Sequence, residues 1–201
     1  MKLFKLVVLG LVLIPGSILA ASCNENGSSA NNADSQTSNN SSNSQASNNC
    51  ITEKEVIKAQ ETWANAIVEI GETYKNKGDY KTVAANTVDN LYGYDEGKVL
   101  FKPTKAAEGQ FRLTEEDALS YFVKGKISED KGFALQPWSK VRFENAGVSV
   151  SCGDAVAMGN YYFTDANTNK ETKVEYTFGY RKSEDGKLLI DLHHSSLPFN
   201  P

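Results

Sequence analysis

The chain has 201 residues, enough for one domain with a core of its own plus appendages, and a formal net charge of −4. That acidic balance argues against a nucleic-acid partner. Its two histidines, His193 and His194, are adjacent, and its three cysteines, Cys23, Cys50 and Cys152, have no Cys-x-x-Cys spacing, so neither a three-histidine zinc site within one chain nor a zinc-ribbon site is available.

The chain opens with Lys2 and Lys5, an apolar run from Leu6 to Leu13, and small residues at Ala20-Ala21-Ser22. This is the pattern of a signal peptide over residues 1–22. The run is short for a membrane span, and Pro15 and Gly16 interrupt it. Leu19-Ala20-Ala21-Ser22-Cys23 is also similar to a bacterial lipoprotein box, in which the cysteine is lipidated after cleavage. Residues 24–49 are nearly all Asn, Ser, Ala, Gln, Gly, Asp and Thr, with little apolar surface to bury, so residues 23–50 read as a disordered tether. An exported, lipid-anchored envelope or periplasmic protein is expected, with a freely secreted one as the alternative. With Cys23 lipidated, Cys50 and Cys152 remain as an even pair, and a disulfide between them would pin the first helix to the sheet.

The folded part is expected over residues 51–201. Thr52-Glu53-Lys54-Glu55 is a capping box, followed by Val56, Ala59, Trp63, Ile67, Ile70 and Tyr74 along one helical face up to about Gly78. Asp79 caps a second helix that buries Tyr80, Val83, Ala84, Val88 and Leu91, and Gly93 and Gly97 break it. Lys98 to Pro103 reads as a short strand or an extended arm ending in Pro103-Thr104, and Gly109–Leu113 as another extended piece. Thr114 caps a third helix with Leu119, Phe122 and Val123 inside and Tyr121 beside them. From Trp138 the pattern is β, with strands over 138–151, 154–164, 172–182 and 187–196 and turns at Gly153-Asp154, Asn167–Asn169 and Asp185-Gly186. Helices followed by an antiparallel meander make an α+β domain.

The final strand carries both histidines, in Asp191-Leu192-His193-His194-Ser195-Ser196-Leu197-Pro198. Side chains alternate faces along a strand, so His193 shares a face with Ser195, and His194 shares the other with Ser196. One pair enters the interior and the other points away; alternation alone does not say which.

His-His-Ser-Ser-x-Pro near the end of a chain of this size resembles the iota-class carbonic anhydrases, of the nuclear-transport-factor-2-like superfamily and close to the association domain of calcium/calmodulin-dependent kinase II. The resemblance covers roughly residues 51–201 and extends to Leu100-Phe101-Lys102-Pro103-Thr104, Tyr121-Phe122 and Glu175–Arg181. It implies a cone-shaped curved antiparallel sheet packed on N-terminal helices, and a homodimer through the sheet. The dimer has its own sequence motive, because Val174, Tyr176, Phe178 and Tyr180 carry more aromatic surface than one helix layer is expected to cover. By the resemblance, the catalytic residues are Thr104, Tyr121, His193 and Ser195, and the substrate-binding set is Thr104, Tyr121, His194, Ser195 and Ser196.

The implied reaction interconverts carbon dioxide and water with bicarbonate and a proton. Hydroxyl groups can donate to the oxygens of either substrate, preset donors stabilise the charge that builds as the carbon bends, and a neutral histidine can accept a proton. Members of the class are described with and without metal. The residues favour no cofactor, since Glu175 and Asp191 read as surface or structural groups; zinc or manganese is the alternative. Water without a metal is a poor nucleophile, so modest rates are expected. A non-catalytic oligomerising or ligand-binding module of the same fold, or an isomerase with a buried carboxylate base, are the competing readings.

Overall fold

The computed structural model describes residues 50–201; the expected signal peptide, the tether and Cys23 lie outside the described residues. The described residues form three helices and a five-stranded sheet, in the order α1 (Glu53–Lys75), α2 (Tyr80–Leu91), β1 (Leu100–Lys102), α3 (Glu115–Val123), a 3₁₀ turn (Phe133–Leu135), β2 (Trp138–Val150), β3 (Asp154–Asp165), β4 (Glu171–Lys182) and β5 (Leu188–Ser196). Each helix begins where its cap stands. Thr52 and Glu55 form the reciprocal box, with Glu55 Oε2 accepting the Thr52 N–H at 2.7 Å and Thr52 Oγ1 accepting the Glu55 N–H at 3.3 Å. Asp79 accepts from the Thr82 N–H at 3.2 Å and Thr114 from the Asp117 N–H at 3.3 Å.

The sheet order is β1-β5-β4-β3-β2. β2 to β5 form the antiparallel meander, but β1 adds to β5 in parallel, with Phe101 opposite His193, so the sheet is mixed and unclosed. Register shifts after Trp138, Asn145 and Gly179 bend it. At the middle bulge the β3 backbone passes so near β2 that a Cβ at position 159 would lie 2.2 Å from the Glu144 carbonyl oxygen, which leaves room only for Gly159. Gly109–Leu113 forms no strand. Phe111 and Leu113 are exposed while Arg112 turns inward, and one backbone bond, Arg112 N–H to Phe101 O at 2.8 Å, ties it to β1.

α1 lies across the concave face. Trp63, 1% exposed, is its centre, packing edge-on against Phe143, Phe163 and Phe178 and tilted against Tyr161. The apolar stripe of α1 holds as far as Ile70; Tyr74 lies beyond the sheet's cover, exposed, edge-to-face with Tyr80. Gln60 takes a buried place in the stripe because it is fully partnered, by Asn145 and the Tyr176 hydroxyl. Val174, Tyr176, Phe178 and Tyr180 are all buried within the single chain, so the aromatic face that motivated a dimer is already covered. Cys50 and Cys152 form a disulfide across 102 residues, fastening the segment before α1 to the turn between β2 and β3; Cys152 is in that turn, not in a strand. Among the described residues, no helix is long and apolar enough to cross a membrane.

Candidate active site

The register of β5 decides which histidine faces the core. His193 pairs across from Phe178 and Ser195 from Tyr176, both inward residues of β4. His193 and Ser195 are therefore 2% and 3% exposed. His194 is exposed and Ser196 half-buried on the convex face, where Ser196 Oγ donates to Glu175 Oε2 at 2.9 Å and both line a shallow groove with Met158, Asn160 and Thr177. The expected substrate-binding set is therefore divided between the two faces: strand alternation puts His194 and Ser196 on the other side of the sheet from Ser195.

Thr104 follows Pro103 at the end of β1, and the parallel pairing of β1 with β5 brings it to Ser195. Thr104 Oγ1 donates to Ser195 Oγ at 2.9 Å, and Lys102 Nζ donates to the Ser195 carbonyl at 3.1 Å. The loop that carries Thr104 is held from below. Glu129 accepts the backbone N–H groups of Ala107, Glu108 and Gly109, and these three bonds keep its carboxyl below the usual range. Arg112, fully buried, is paired with buried Asp130 at 2.5 Å and bonds the Gly109 carbonyl.

Around His193 the walls are aromatic. Phe101 stacks on the imidazole at 4.4 Å between centroids, Phe178 leans on it at 4.1 Å and Trp63 meets it edge-on at 5.5 Å. The ring's two nitrogens face phenols: Nδ1 lies 2.9 Å from Tyr92 Oη and Nε2 3.5 Å from Tyr161 Oη. Burial, and then the neighbouring His194, push the His193 pKa well below that of an ordinary histidine, so the ring is neutral at physiological pH. Trp63 Nε1–H donates to Tyr92 Oη at 2.8 Å.

Tyr161, 2% exposed, had not been singled out from the sequence. Burial raises its phenol, and the nearby Ser195 and Thr104 hydroxyls pull it back in part, so its hydroxyl lies beside theirs. Tyr92, the residue after α2, was missed too. Nothing in the sequence separates either from ordinary core tyrosines. Tyr121 lies on α3, stacked on Phe133 at 5.4 Å, with the Lys105 backbone N–H at its hydroxyl. It lines a cavity of about 330 Å³ with Lys105, Glu129, Lys131, Gly132, Phe133 and Gln136. Burial, and next the Tyr161 hydroxyl, raise its phenol. Thr104 and Ser195 thus meet directly, Tyr161 lies beside them and faces His193, and Tyr121 flanks the group on the side of this cavity.

Among the described residues, no group of three or more His, Cys, Asp or Glu side chains is placed to hold a metal ion. Among the described residues, the one fully buried acid, Asp130, is spent on Arg112, which leaves no buried carboxylate free to serve as an isomerase base.

A family model described as metal-independent carbonic anhydrase matches residues 54–197. The chain belongs to the metal-independent carbonic anhydrase family. A curated metal-independent carbonic anhydrase from Nostoc sp. (strain PCC 7120 / SAG 25.82 / UTEX 2576) is 41% identical over 204 residues, covering 99% of each chain. A solved cyanobacterial iota-carbonic anhydrase, in complex with bicarbonate, is 44% identical and superimposes with a TM-score of 0.73 over 76% of this chain and 96% of that one. The protein is accordingly a carbonic anhydrase of the iota class, and its family works without a metal cofactor. The helices and curved sheet are those the terminal motif implied.

Proposed function

We propose that the hydroxyls of Thr104, Ser195 and Tyr161, with Tyr121 alongside, hydrate carbon dioxide and dehydrate bicarbonate. The observation that supports this most is the direct Thr104–Ser195 bond at 2.9 Å, made on the inner face beside a buried, neutral His193. The bicarbonate bound by the cyanobacterial relative is the ligand this hydroxyl set suits, since each of its oxygens accepts hydrogen bonds.

In the proposed step, the oxygen of a water molecule attacks the carbon of carbon dioxide. As that bond forms, one C=O bond opens onto its oxygen. A hydroxyl, Ser195 or Thr104, takes a proton from the water and passes its own to that oxygen. Water and carbon dioxide become carbonic acid, which gives a proton to solvent and leaves as bicarbonate. The remaining hydroxyls donate to the oxygen that gains charge on the way, the part of the path where preset donors count most. His193, held neutral by burial and facing Tyr161, is assigned an orienting role in this reading. The test is stopped-flow hydration by the purified protein before and after exhaustive chelation. Activity that persists supports the reading; activity lost to chelation and restored by zinc or manganese refutes its metal-free chemistry.

Two further readings attach to the enzyme. The convex face exposes Leu100, Val156 and Met158 at 56%, 44% and 52%, and a homodimer through it is proposed in place of one through the buried aromatic face. A monomer in light scattering at micromolar concentration would count against it. Export with a lipid on Cys23 is proposed from residues 1–49, and the Cys50–Cys152 disulfide suits an oxidising compartment. Intact-mass measurement on membrane-derived protein tests it, and a mature form lacking Cys23 would refute it.

A further inference from the structure

We propose that Trp63 and Tyr92 fix the tautomer of His193, with the proton on Nε2, so that the imidazole donates to Tyr161 and turns the Tyr161 hydroxyl into a donor at the reacting centre. This rests on the reading of the Thr104–Ser195–Tyr161 cluster as the site. It gives the Tyr161 hydroxyl its direction and makes Trp63 and Tyr92 positioning residues.

The argument is one of donors and acceptors. An indole N–H can only donate. Trp63 Nε1 sits 2.8 Å from Tyr92 Oη, so that oxygen accepts. Tyr92 is 2% exposed, and its own hydroxyl proton needs a partner within the protein. The acceptor at hydrogen-bonding distance is His193 Nδ1, at 2.9 Å. Were Nδ1 protonated instead, Tyr92 Oη would face two N–H donors and its own proton would be buried without an acceptor. That penalty disfavours the Nδ1–H tautomer by roughly 5- to 150-fold. The neutral ring therefore accepts at Nδ1 and carries its proton on Nε2, which faces Tyr161 Oη at 3.5 Å.

The polarity then runs one way. Trp63 donates to Tyr92, Tyr92 to His193 and His193 to Tyr161. With a donor at its oxygen, Tyr161 directs its own proton to the Thr104 and Ser195 side or to a substrate oxygen there. The long Nε2 contact is the weak link when no substrate is present, and such contacts shorten as the reacting complex forms. The stacked Phe101 and the edge of Trp63 hold the imidazole plane, so the direction of the Nε2–H is set by packing as well as by bonding.

The test is long-range ¹H–¹⁵N correlation of the imidazole nitrogens in the full-length protein, without substrate, with His194→Gln used to assign the two rings. The expected spectrum has His193 Nδ1 at the shift of an unprotonated acceptor and Nε2 at that of a protonated nitrogen. Tyr92→Phe should move His193 toward the Nδ1–H form or a mixture and lower kcat about tenfold or more with little change in KM. Tyr180→Phe, which removes a buried hydroxyl that makes no bond to the imidazole, should leave tautomer and rate as they were. Tyr161→Phe should lower the rate with the tautomer unchanged. A wild-type His193 protonated on Nδ1 overturns the proposal even if Tyr92→Phe fails to fold, and so does a Tyr161→Phe enzyme with the wild-type rate. The spectrum needs no turnover, so its failure is separate from that of the site reading, which falls if Ser195→Ala keeps full activity.

Discussion

Ser195→Ala separates catalysis from folding. The substitution removes one oxygen, which accepts from Thr104 Oγ1 at 2.9 Å and neighbours the Tyr161 hydroxyl. Loss of one preset donor at a developing oxyanion costs about 10²- to 10³-fold in kcat, roughly 2.7–4 kcal/mol. The stability cost is much smaller. Thr104 is only half-buried, so its hydroxyl can turn to water when its partner goes, and the net loss is about 1 kcal/mol or less. The control is Ser196→Ala, which removes a bond to Glu175 on the convex face and should change the rate less than about twofold. Stopped-flow hydration with a pH indicator reads the rates, and thermal unfolding reads the fold. A Ser195→Ala enzyme at the wild-type rate, or a Ser196→Ala enzyme that loses more than Ser195→Ala, would refute the assignment of faces and roles together.

The other predictions concern what supports the site. Asp130→Ala leaves the Arg112 guanidinium buried with its main partner gone, Glu129 being 3.8 Å away, and should destabilise the protein by about 3–5 kcal/mol in urea unfolding; a loss under about 1 kcal/mol would mean that the pair is not holding the Thr104 loop. Burial holds the His193 pKa below its unfolded value of about 6.5, so below that pH the unfolded chain binds a proton that the folded one refuses. The stability this site contributes is complete above about pH 6.5 and falls as the pH drops, by at most about 1.4 kcal/mol per pH unit. Unfolding free energies at pH 7.5, 6.5 and 5.5 should therefore decline more steeply for wild type than for His193→Gln, and parallel slopes would contradict a buried neutral ring.

Much of the frame was legible because it is local. Thr52, Asp79 and Thr114 start the helices at the positions their side chains dictate, and the alternation from Val174 to Tyr180 marks an inner face that the structure buries. What escaped was non-local. A strand of three residues, Leu100–Lys102, has too little pattern to reveal a parallel partner 92 residues on, yet that pairing delivers Thr104 to Ser195. Gly109–Leu113 looked extended because Phe111 and Leu113 alternate with Arg112, but the polar member is the buried one, drawn in by Asp130. The histidine-serine alternation was visible, but which pair turned inward depended on its register against β4. Tyr92 and Tyr161 belong to a helix end and a strand 69 residues apart, and each reads as a core aromatic until the fold puts both hydroxyls on one imidazole.

The titrations in this core point in one direction. Burial raises the phenols of Tyr92, Tyr121, Tyr161 and Tyr180, pushes Tyr176 up to about 12, and lowers the imidazole of His193. Desolvation is the largest cause each time, and it favours the neutral form of acid and base alike. A route that made an imidazolium and a bicarbonate side by side would have to form two charges where the surroundings penalise both. Transfer through a hydroxyl to carbonic acid forms neither, and defers the release of the proton to solvent. The same economy limits the rate, because the nucleophile remains water, with a pKa of about 15.7, where a zinc enzyme has hydroxide at hand near neutral pH. An aromatic shell that disfavours charge on His193 and these phenols therefore suits a hydratase that gains its rate from placed donors, and predicts a rate well below the diffusion limit.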